Sequence, residues 1–121
     1  MKLFHAFGYA VRGIEIGLRQ RNMKIHLLII IGMVIFGLSF PISLSEWIPI
    51  LLCIGLVLST ELINTAIEEI ATVVAGLSPS TYKKMGSPKD LGAGAVLIAS
   101  IISATIGIII FVPHFMSFFI K

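Results

Sequence analysis

Two glutamates lie seven residues apart within a long apolar segment of this chain. Glu61 and Glu68 are the charged residues of the stretch ELINTAIE, and Asn64 lies between them. Ionisable side chains in a membrane segment are energetically unfavourable and for that reason usually functional. On an α-helix, seven residues turn through about 700° and rise about 10 Å, so both carboxylates share one face, with Asn64 within about 60° of it. We call these three residues the polar stripe.

The composition indicates a small integral membrane protein. Of the 121 residues, 57% are hydrophobic and 12% are charged, an apolar share above that of a typical soluble domain. This length allows one domain with no more than about three or four membrane spans. The net charge of +3 does not indicate nucleic-acid binding, because the basic residues cluster beside the apolar segments without an aromatic and basic surface. Cys53 is the only cysteine, which excludes a disulfide framework and a thiolate metal site.

Residues 2–20 are predicted to form an amphipathic helix that lies on the membrane surface. Apolar residues recur there at intervals of three and four, and charged residues take the other directions. The apolar positions are Leu3, Phe4, Phe7, Val11, Ile14 and Leu18. In the headgroup plane, such a helix serves either as an anchor alone or also as a cover for a site at the membrane surface.

The first two membrane spans are predicted at residues 25–44 and 47–77. The first corresponds to about 30 Å of helix, enough to cross the hydrocarbon core. Its one titratable residue, His26, is expected to pack or hydrogen-bond at the interface rather than bind a metal. Ser43 or Ser45 is expected to cap the second helix. That helix is about 46 Å long, so its end is expected to project beyond the membrane.

A polar linker at residues 78–88 is expected to separate the second span from a third at residues 89–112. Ser87 is expected to cap the third span, with Pro88 at the first helical position. Pro113 is expected to end it.

The Lys and Arg residues predict which side of the membrane faces the cytoplasm. Five precede the first span, three lie in or next to the linker, none lies between the first two spans, and one, Lys121, follows the third. Positive charges concentrate on the cytoplasmic side, so the N-terminus and the linker are expected there. The polar stripe then faces the cytoplasm, with Glu61 deeper in the inner leaflet than Glu68.

The polar stripe has groups that phosphoryl transfer needs. That reaction requires a carboxylate-bound metal to bridge phosphate oxygens, donors for the developing charge and a base beside the attacking hydroxyl. Glu68, at the surface, is placed to bind a metal-bound nucleotide, and Glu61 is placed to contact a lipid hydroxyl. Lys89, at a helix N-terminus, is placed to bind the phosphates. From these residues alone, a proton or ion path in a small transporter and a polar network that holds an oligomer together stay open. There is no Walker-type loop, because residues 13–17 lack the Lys-Ser/Thr ending.

Four stretches of the sequence match the pattern of a known family. They are GYAVRG at 8–13, RNMKIH at 21–26, ELINTAIE at 61–68 and KDLGAGAV at 89–96. In this order, and with three spans, the chain resembles the prokaryotic diacylglycerol kinase family, which includes the undecaprenol kinases. The resemblance implies an all-α membrane protein with a surface helix and three membrane helices, in the bacterial inner membrane. It also implies a homotrimer with composite active sites at the cytoplasmic interface.

The resemblance implies a role for each matching position. Glu61 is the implied general base for the hydroxyl of the lipid substrate. The positions implied to bind ATP are Tyr9, Arg12, Asn64, Lys89 and Asp90. From the residues alone, Tyr9 could instead be an aromatic anchor at the membrane interface. Lys89 could instead be a positive charge that sets the membrane topology.

The resemblance further implies a Mg²⁺ site at Glu68. Gln20 aligns with a glutamate that often completes this site in the family, unless a gap brings Arg21 to that position. An amide oxygen coordinates Mg²⁺ but adds no charge, so metal binding is expected to weaken unless Glu15 or Glu69 substitutes.

The leading hypothesis is an ATP- and Mg²⁺-dependent kinase that phosphorylates the hydroxyl of a membrane lipid, either diacylglycerol or undecaprenol. The stretch RNMKIH favours undecaprenol. The alternative is a catalytically silent scaffold, or a small ion-conducting oligomer, that retains the polar stripe for structure. Gln20 favours this alternative, as does Thr72, where the family commonly has an aspartate.

Overall fold

The chain is described by a computed structural model over residues 1–120, so Lys121, the one cation expected at the far end, lies outside the described residues. The helices are α1 (Lys2–Leu18), α2 (Arg21–Ser39), α3 (Leu44–Leu77), α4 (Pro79–Tyr82) and α5 (Gly86–Phe119), with a 3-10 turn at Lys83–Met85. Within residues 1–120, three helical segments are long and apolar enough to cross a membrane: α2, α3 and the segment that ends in α5. The prediction of an all-helical chain with three candidate membrane-spanning helices is confirmed.

A reciprocal cap fixes the start of α3. Ser43 Oγ accepts a hydrogen bond from the Glu46 backbone N–H at 3.2 Å, and Glu46 Oε2 accepts one from the Ser43 N–H at 2.9 Å. Two of the free N–H groups at the helix start are thereby satisfied. Of the two serines expected as caps, Ser43 therefore has this role, and the helix begins at Leu44 rather than residue 47.

α3 and α5 pack against each other in antiparallel directions. At the end of α3 that carries the polar stripe, Asn64 lies against Gly92 of α5. At the other end, His114 Nε2 lies 3.1 Å from both carboxylate oxygens of Glu46. Two contacts at opposite ends fix the register of α5 along α3.

α5 does not end before Pro113, contrary to the prediction. The helix continues through Pro113 to Phe119. A proline removes one backbone hydrogen bond, and in membrane helices neighbouring helices can compensate for that loss. Here Phe36 of α2 packs against Phe111 and Phe115, on either side of the proline, with ring centroids 5.2 and 6.2 Å apart. These contacts and the pair of His114 with Glu46 hold the extension in place.

The segment predicted as a polar linker is itself helical. Ser78 Oγ accepts a hydrogen bond from the Thr81 N–H at 3.3 Å and so caps α4. The expected cap at Ser87 is wrong, because α5 already begins at Gly86, with Met85 as its N-cap and without a side-chain cap. Both Met85 and Gly86 have right-handed helical backbone angles, so the chain passes from the 3-10 turn directly into α5.

α1 contacts α3 through its C-terminal end. Gly17 is buried, whereas the other residues of α1 are exposed. A Cβ at position 17 would overlap Leu62 Cδ2. Because Leu62 follows Glu61, this contact brings the end of α1 beside the polar stripe.

The substitution Gly17→Ala is expected to give a protein about 1 kcal/mol less stable than Gly13→Ala, because Leu62 must leave its rotamer to admit the new methyl group. Gly13→Ala is the matched control, because nothing lies within 4 Å of a Cβ at that position. Alanine there is expected to stabilise α1 by up to about 1 kcal/mol. Thermal unfolding in detergent measures both variants, and equal effects would contradict the contact.

Candidate active site

Glu61 is buried and lies beside a histidine of the first span. The residue is 2% exposed, and its Oε2 lies 3.4 Å from His26 Nε2. His26 was expected to pack or hydrogen-bond at the interface, and its partner is the deeper carboxylate of the polar stripe. The signal that sequence reasoning missed is that both residues are isolated ionisable groups in apolar segments, where such groups usually pair.

Asn64 connects the buried and exposed parts of the polar stripe. It is 4% exposed, and its Nδ2 lies 3.4 Å from Oε1 of Glu68, which is exposed. Its Oδ1 is buried without a hydrogen-bond partner among the described residues. A Cβ at Gly92 would lie 2.5 Å from that oxygen. The small residue at position 92 is therefore what lets α5 approach this amide.

Gln20 and Glu68 lie at about the same height. The contact of His26 with Glu61 sets the register of α2 along α3. Towards the N-terminus of α2, six residues separate His26 from Gln20, about 9 Å, and seven residues of α3 separate Glu61 from Glu68, about 10 Å. Gln20 is the N-cap of α2 and forms no side-chain capping bond.

The donor groups fit a hard cation that arrives with phosphate. Mg²⁺ binds oxygen ligands, commonly one or two carboxylates together with substrate phosphates and water. Glu68 provides an exposed carboxylate, and the unpartnered Asn64 Oδ1 is an amide oxygen nearby. Residues 1–120 contain no cluster of three or more His, Cys, Asp or Glu side chains suited to a metal ion. A single chain therefore offers part of a coordination sphere.

Glu15 and Glu69, the two residues expected to substitute for the acid missing at position 20, are paired with another residue or point in another direction, and Thr72 has a hydrogen bond within its own helix. Glu15 forms an ion pair with Arg19 on α1 at 3.0 Å. Glu69 follows Glu68 and so differs from it in direction by about 100°. Thr72 Oγ1 donates a hydrogen bond to the Glu68 backbone carbonyl at 3.0 Å, which satisfies its hydroxyl within α3.

Lys89 and Asp90 lie on different sides of α5. Lys89 is about 60° from Gly92 around the helix, on the side of α3, whereas Asp90 is about 200° from it. Lys89 Nζ lies 3.4 Å from Tyr82 Oη and 5.5 Å from the centre of that ring, a contact that sequence reasoning missed. Asp90 lines an open concavity with Ser87 and other residues of α5. Within one chain, Asp90 is therefore directed away from the polar stripe.

Tyr9 and Arg12 are also separate from the polar stripe. Both are exposed, and α1 reaches α3 through Gly17. About 7 Å of helix lies between Arg12 and that contact. A single chain therefore brings together Glu61, Asn64 and Glu68 of the sequence-predicted site, but not Tyr9, Arg12 or Asp90.

An apolar groove of about 580 Å³ leads to His26. It lies between α2, α3 and α5, and its volume is in the range of ligand pockets. Its lining includes Ile30 and Met33 of α2, Ile54 and Val57 of α3, and Ser103 and Phe111 of α5. Because His26 contacts Glu61, one end of the groove adjoins the buried carboxylate.

Comparison with known proteins connects the chain to lipid kinases. A family model described as prokaryotic diacylglycerol kinase matches residues 8–111. The undecaprenol kinase of Bacillus subtilis (strain 168) is 36% identical over 113 residues, which are 93% of this chain and 89% of that protein. A diacylglycerol kinase of Synechocystis is 29% identical over 116 residues, which are 95% of this chain and 65% of that protein. No solved structure matches.

The substitution Gly92→Ala is expected to lower the free energy of unfolding by about 1–3 kcal/mol, because the methyl group must displace the buried Asn64 amide. Gly94→Ala on the same helix is the matched control, because nothing lies within 4 Å of a Cβ there. Thermal unfolding in detergent compares the two variants. If Gly92→Ala proves as stable as Gly94→Ala, the close approach of α5 to Asn64 is wrong.

Proposed function

Because this chain belongs to the prokaryotic diacylglycerol kinase family and is a lipid kinase, we propose that it transfers the γ-phosphate of ATP to the hydroxyl of a membrane lipid. The observation that carries this proposal is a buried carboxylate, Glu61, in contact with His26, which lines one end of an apolar groove. From there the polar stripe runs to the exposed Glu68. A lipid chain in the groove would present its hydroxyl to Glu61, while ATP approaches from Glu68. The scaffold and ion-conduction alternative is disfavoured by the family membership.

Glu61 is the proposed general base. Its carboxylate takes the proton of the lipid hydroxyl while that oxygen forms a bond to the γ-phosphorus. The bond between the γ-phosphorus and the bridging oxygen of ADP breaks, so the products are a lipid phosphate and ADP. A nearly fully buried base suits this step, because water that would compete for the phosphoryl group is kept away.

Glu68 and Gln20 are the proposed metal ligands. Bound Mg²⁺ would neutralise charge on the phosphate oxygens during transfer. Glu68 would provide a charged oxygen ligand. Gln20, at about the same height along the helix axes, would provide an amide oxygen. Asn64 holds the Glu68 carboxylate through its Nδ2, which orients that ligand towards the exposed side.

The proposed nucleotide site is composite, formed by more than one protomer of a homotrimer. Its other members are Tyr9, Arg12, Asn64, Lys89 and Asp90. The support is that Asp90 lies on the side of α5 away from α3, where a neighbouring protomer would meet it. The cation of Lys89 suits phosphate oxygens.

The proposed location is the bacterial inner membrane, with the N-terminus and the active site in the cytoplasm. The distribution of Lys and Arg supports this orientation. α1 is proposed to lie on the cytoplasmic membrane surface. Its large apolar residues Leu3, Phe4 and Phe7 are 71–85% exposed in the chain alone, and the lipid interface would cover them.

We propose a polyprenol of the undecaprenol type as the lipid, with diacylglycerol as the alternative. The Bacillus undecaprenol kinase shares more identity with this chain than the Synechocystis diacylglycerol kinase does, and its length is more fully covered. The stretch RNMKIH, which contains His26, also favours this choice.

Purified protein in mixed micelles is expected to consume ATP when Mg²⁺ and undecaprenol are present, and to do so more slowly with diacylglycerol. Glu61→Gln is expected to lower kcat by at least about 100-fold, because the amide cannot accept the proton. The assay measures formation of the radiolabelled lipid phosphate. Glu69→Gln removes a neighbouring carboxylate outside the polar stripe and is expected to retain activity. Near-normal turnover of Glu61→Gln would refute its role, and a lack of response to either lipid would favour the scaffold.

Co-expression of Glu61→Gln and Asp90→Asn chains, each inactive alone, tests whether the site is shared. If one protomer provides Glu61 and its neighbour Asp90, random assembly leaves about a quarter of the sites intact in a trimer with cyclic symmetry. Each trimer that co-purifies through two different tags contains both chains and keeps one intact site of three, so about a third of the wild-type activity is then expected in that fraction. If both residues act within one chain, every site lacks one of them and the mixture stays inactive.

A further inference from the structure

We propose that His26 is a positioning residue that sets the orientation of the Glu61 carboxylate, an inference that rests on the proposed function. His26 lies at the one place where α2, the apolar groove and the buried carboxylate meet. Its Nε2 is 3.4 Å from Glu61 Oε2, and the same residue lines the groove. Its imidazole therefore adjoins both the proposed base and the proposed path of the lipid.

Glu61 is almost fully buried, so its contact with His26 determines how the carboxylate is stabilised. The Glu61 side chain is 3% exposed and that of His26 is 21% exposed. Across residues 1–120, His26 provides the one ion-pair or hydrogen-bonding contact recorded for the Glu61 side chain. A buried carboxylate without a polar partner is strongly unfavourable. The orientation of this carboxylate is therefore set from one side, by α2.

The chemistry of the two groups defines what His26 does. In a neutral imidazole one ring nitrogen carries the proton, and a nitrogen that faces a carboxylate is the donor. An Nε2–H that donates to Oε2 would occupy that oxygen and leave Oε1 of Glu61 to accept the proton of the lipid hydroxyl. Hydrogen bonds at active sites are often long before substrate binds and shorten in the reactive complex. At 3.4 Å the two groups are in ion-pair contact, and a shorter distance in the reactive complex would complete the hydrogen bond.

Two variants at position 26 separate positioning from packing. His26→Leu keeps an apolar side chain against the groove but removes the donor, and kcat is expected to fall about 10- to 100-fold, because small errors of placement slow catalysis by such factors. KM for ATP is expected to stay unchanged, since the side-chain contact of His26 is with the proposed base Glu61 and not with a proposed nucleotide residue. His26→Gln places an amide N–H near the position of Nε2 and is expected to restore most of the lost kcat.

The second histidine–glutamate pair of the chain provides the matched control. His114 contacts Glu46 at the opposite end of α3. His114→Leu makes the same chemical change there, and it is expected to leave kcat unchanged even where it lowers the thermal unfolding temperature. A kcat effect of similar size at both positions would attribute the loss to general destabilisation and overturn the proposal.

The outcomes of this experiment are distinguishable from failure of the proposed function. A wild-type protein that phosphorylates no lipid refutes the function itself. A wild-type protein that is active while His26→Leu is equally active overturns the positioning role. Loss of kcat in both His26→Leu and His26→Gln also overturns it, because a donor at that place is then insufficient. Loss in His26→Leu, recovery in His26→Gln and a constant KM for ATP support it.

Discussion

A buried carboxylate in an apolar helix requires a polar partner. The packing of the helices in this chain depends on which residue pairs with Glu61. Glu61 is 2% exposed within the apolar helix α3, and desolvation of an isolated carboxylate is strongly unfavourable. His26 supplies the partner from the first span. Because this contact joins α2 to α3, it fixes their register, and with it the similar heights of Gln20 and Glu68 and the end of the apolar groove. The same contact thus organises the fold and the proposed reaction centre.

The second constraint is the antiparallel register of α3 and α5. At one end, the absence of a side chain at Gly92 lets α5 approach the Asn64 amide. At the other end, Glu46 both caps α3 and contacts His114. A shift of α5 by one residue along α3 would separate His114 from Glu46. It would also replace Gly92 with a residue whose Cβ lies against Asn64. The polar stripe is therefore held from both ends, which suits a site whose chemistry depends on placement.

The sequence predicts the local features of this protein well, because they depend on helix geometry. The direction shared by Glu61 and Asn64 follows from the period of 3.6 residues, and the Ser43 cap follows from the chemistry of free N–H groups. Features that depend on contacts between helices were not predictable in the same way. Extension of α5 past Pro113 depends on packing against Phe36.

In the site, too, the features that depend on one helix were predictable and the contacts between helices were not. Periodicity places three residues on one face of α3, but it does not reveal that His26 pairs with Glu61, because thirty-five positions separate them along the chain. The side on which Asp90 lies depends in turn on which face of α5 meets α3. That face is identified by Gly92, whose role becomes clear only from the contact with Asn64.

The distribution of functional groups over one chain is itself an argument for assembly. A kinase must hold charged phosphates, and the resemblance assigns that task to residues that one protomer presents on separate surfaces. Asp90 is about 200° around α5 from the contact with α3, and Tyr9 and Arg12 lie on the exposed part of α1. Asn64 meanwhile keeps a buried oxygen without a protein partner. An unsatisfied buried oxygen costs about 1–3 kcal/mol, which favours any state that brings it a donor or a cation. In the proposed site, Mg²⁺ held by Glu68 would supply such a cation near the Asn64 oxygen.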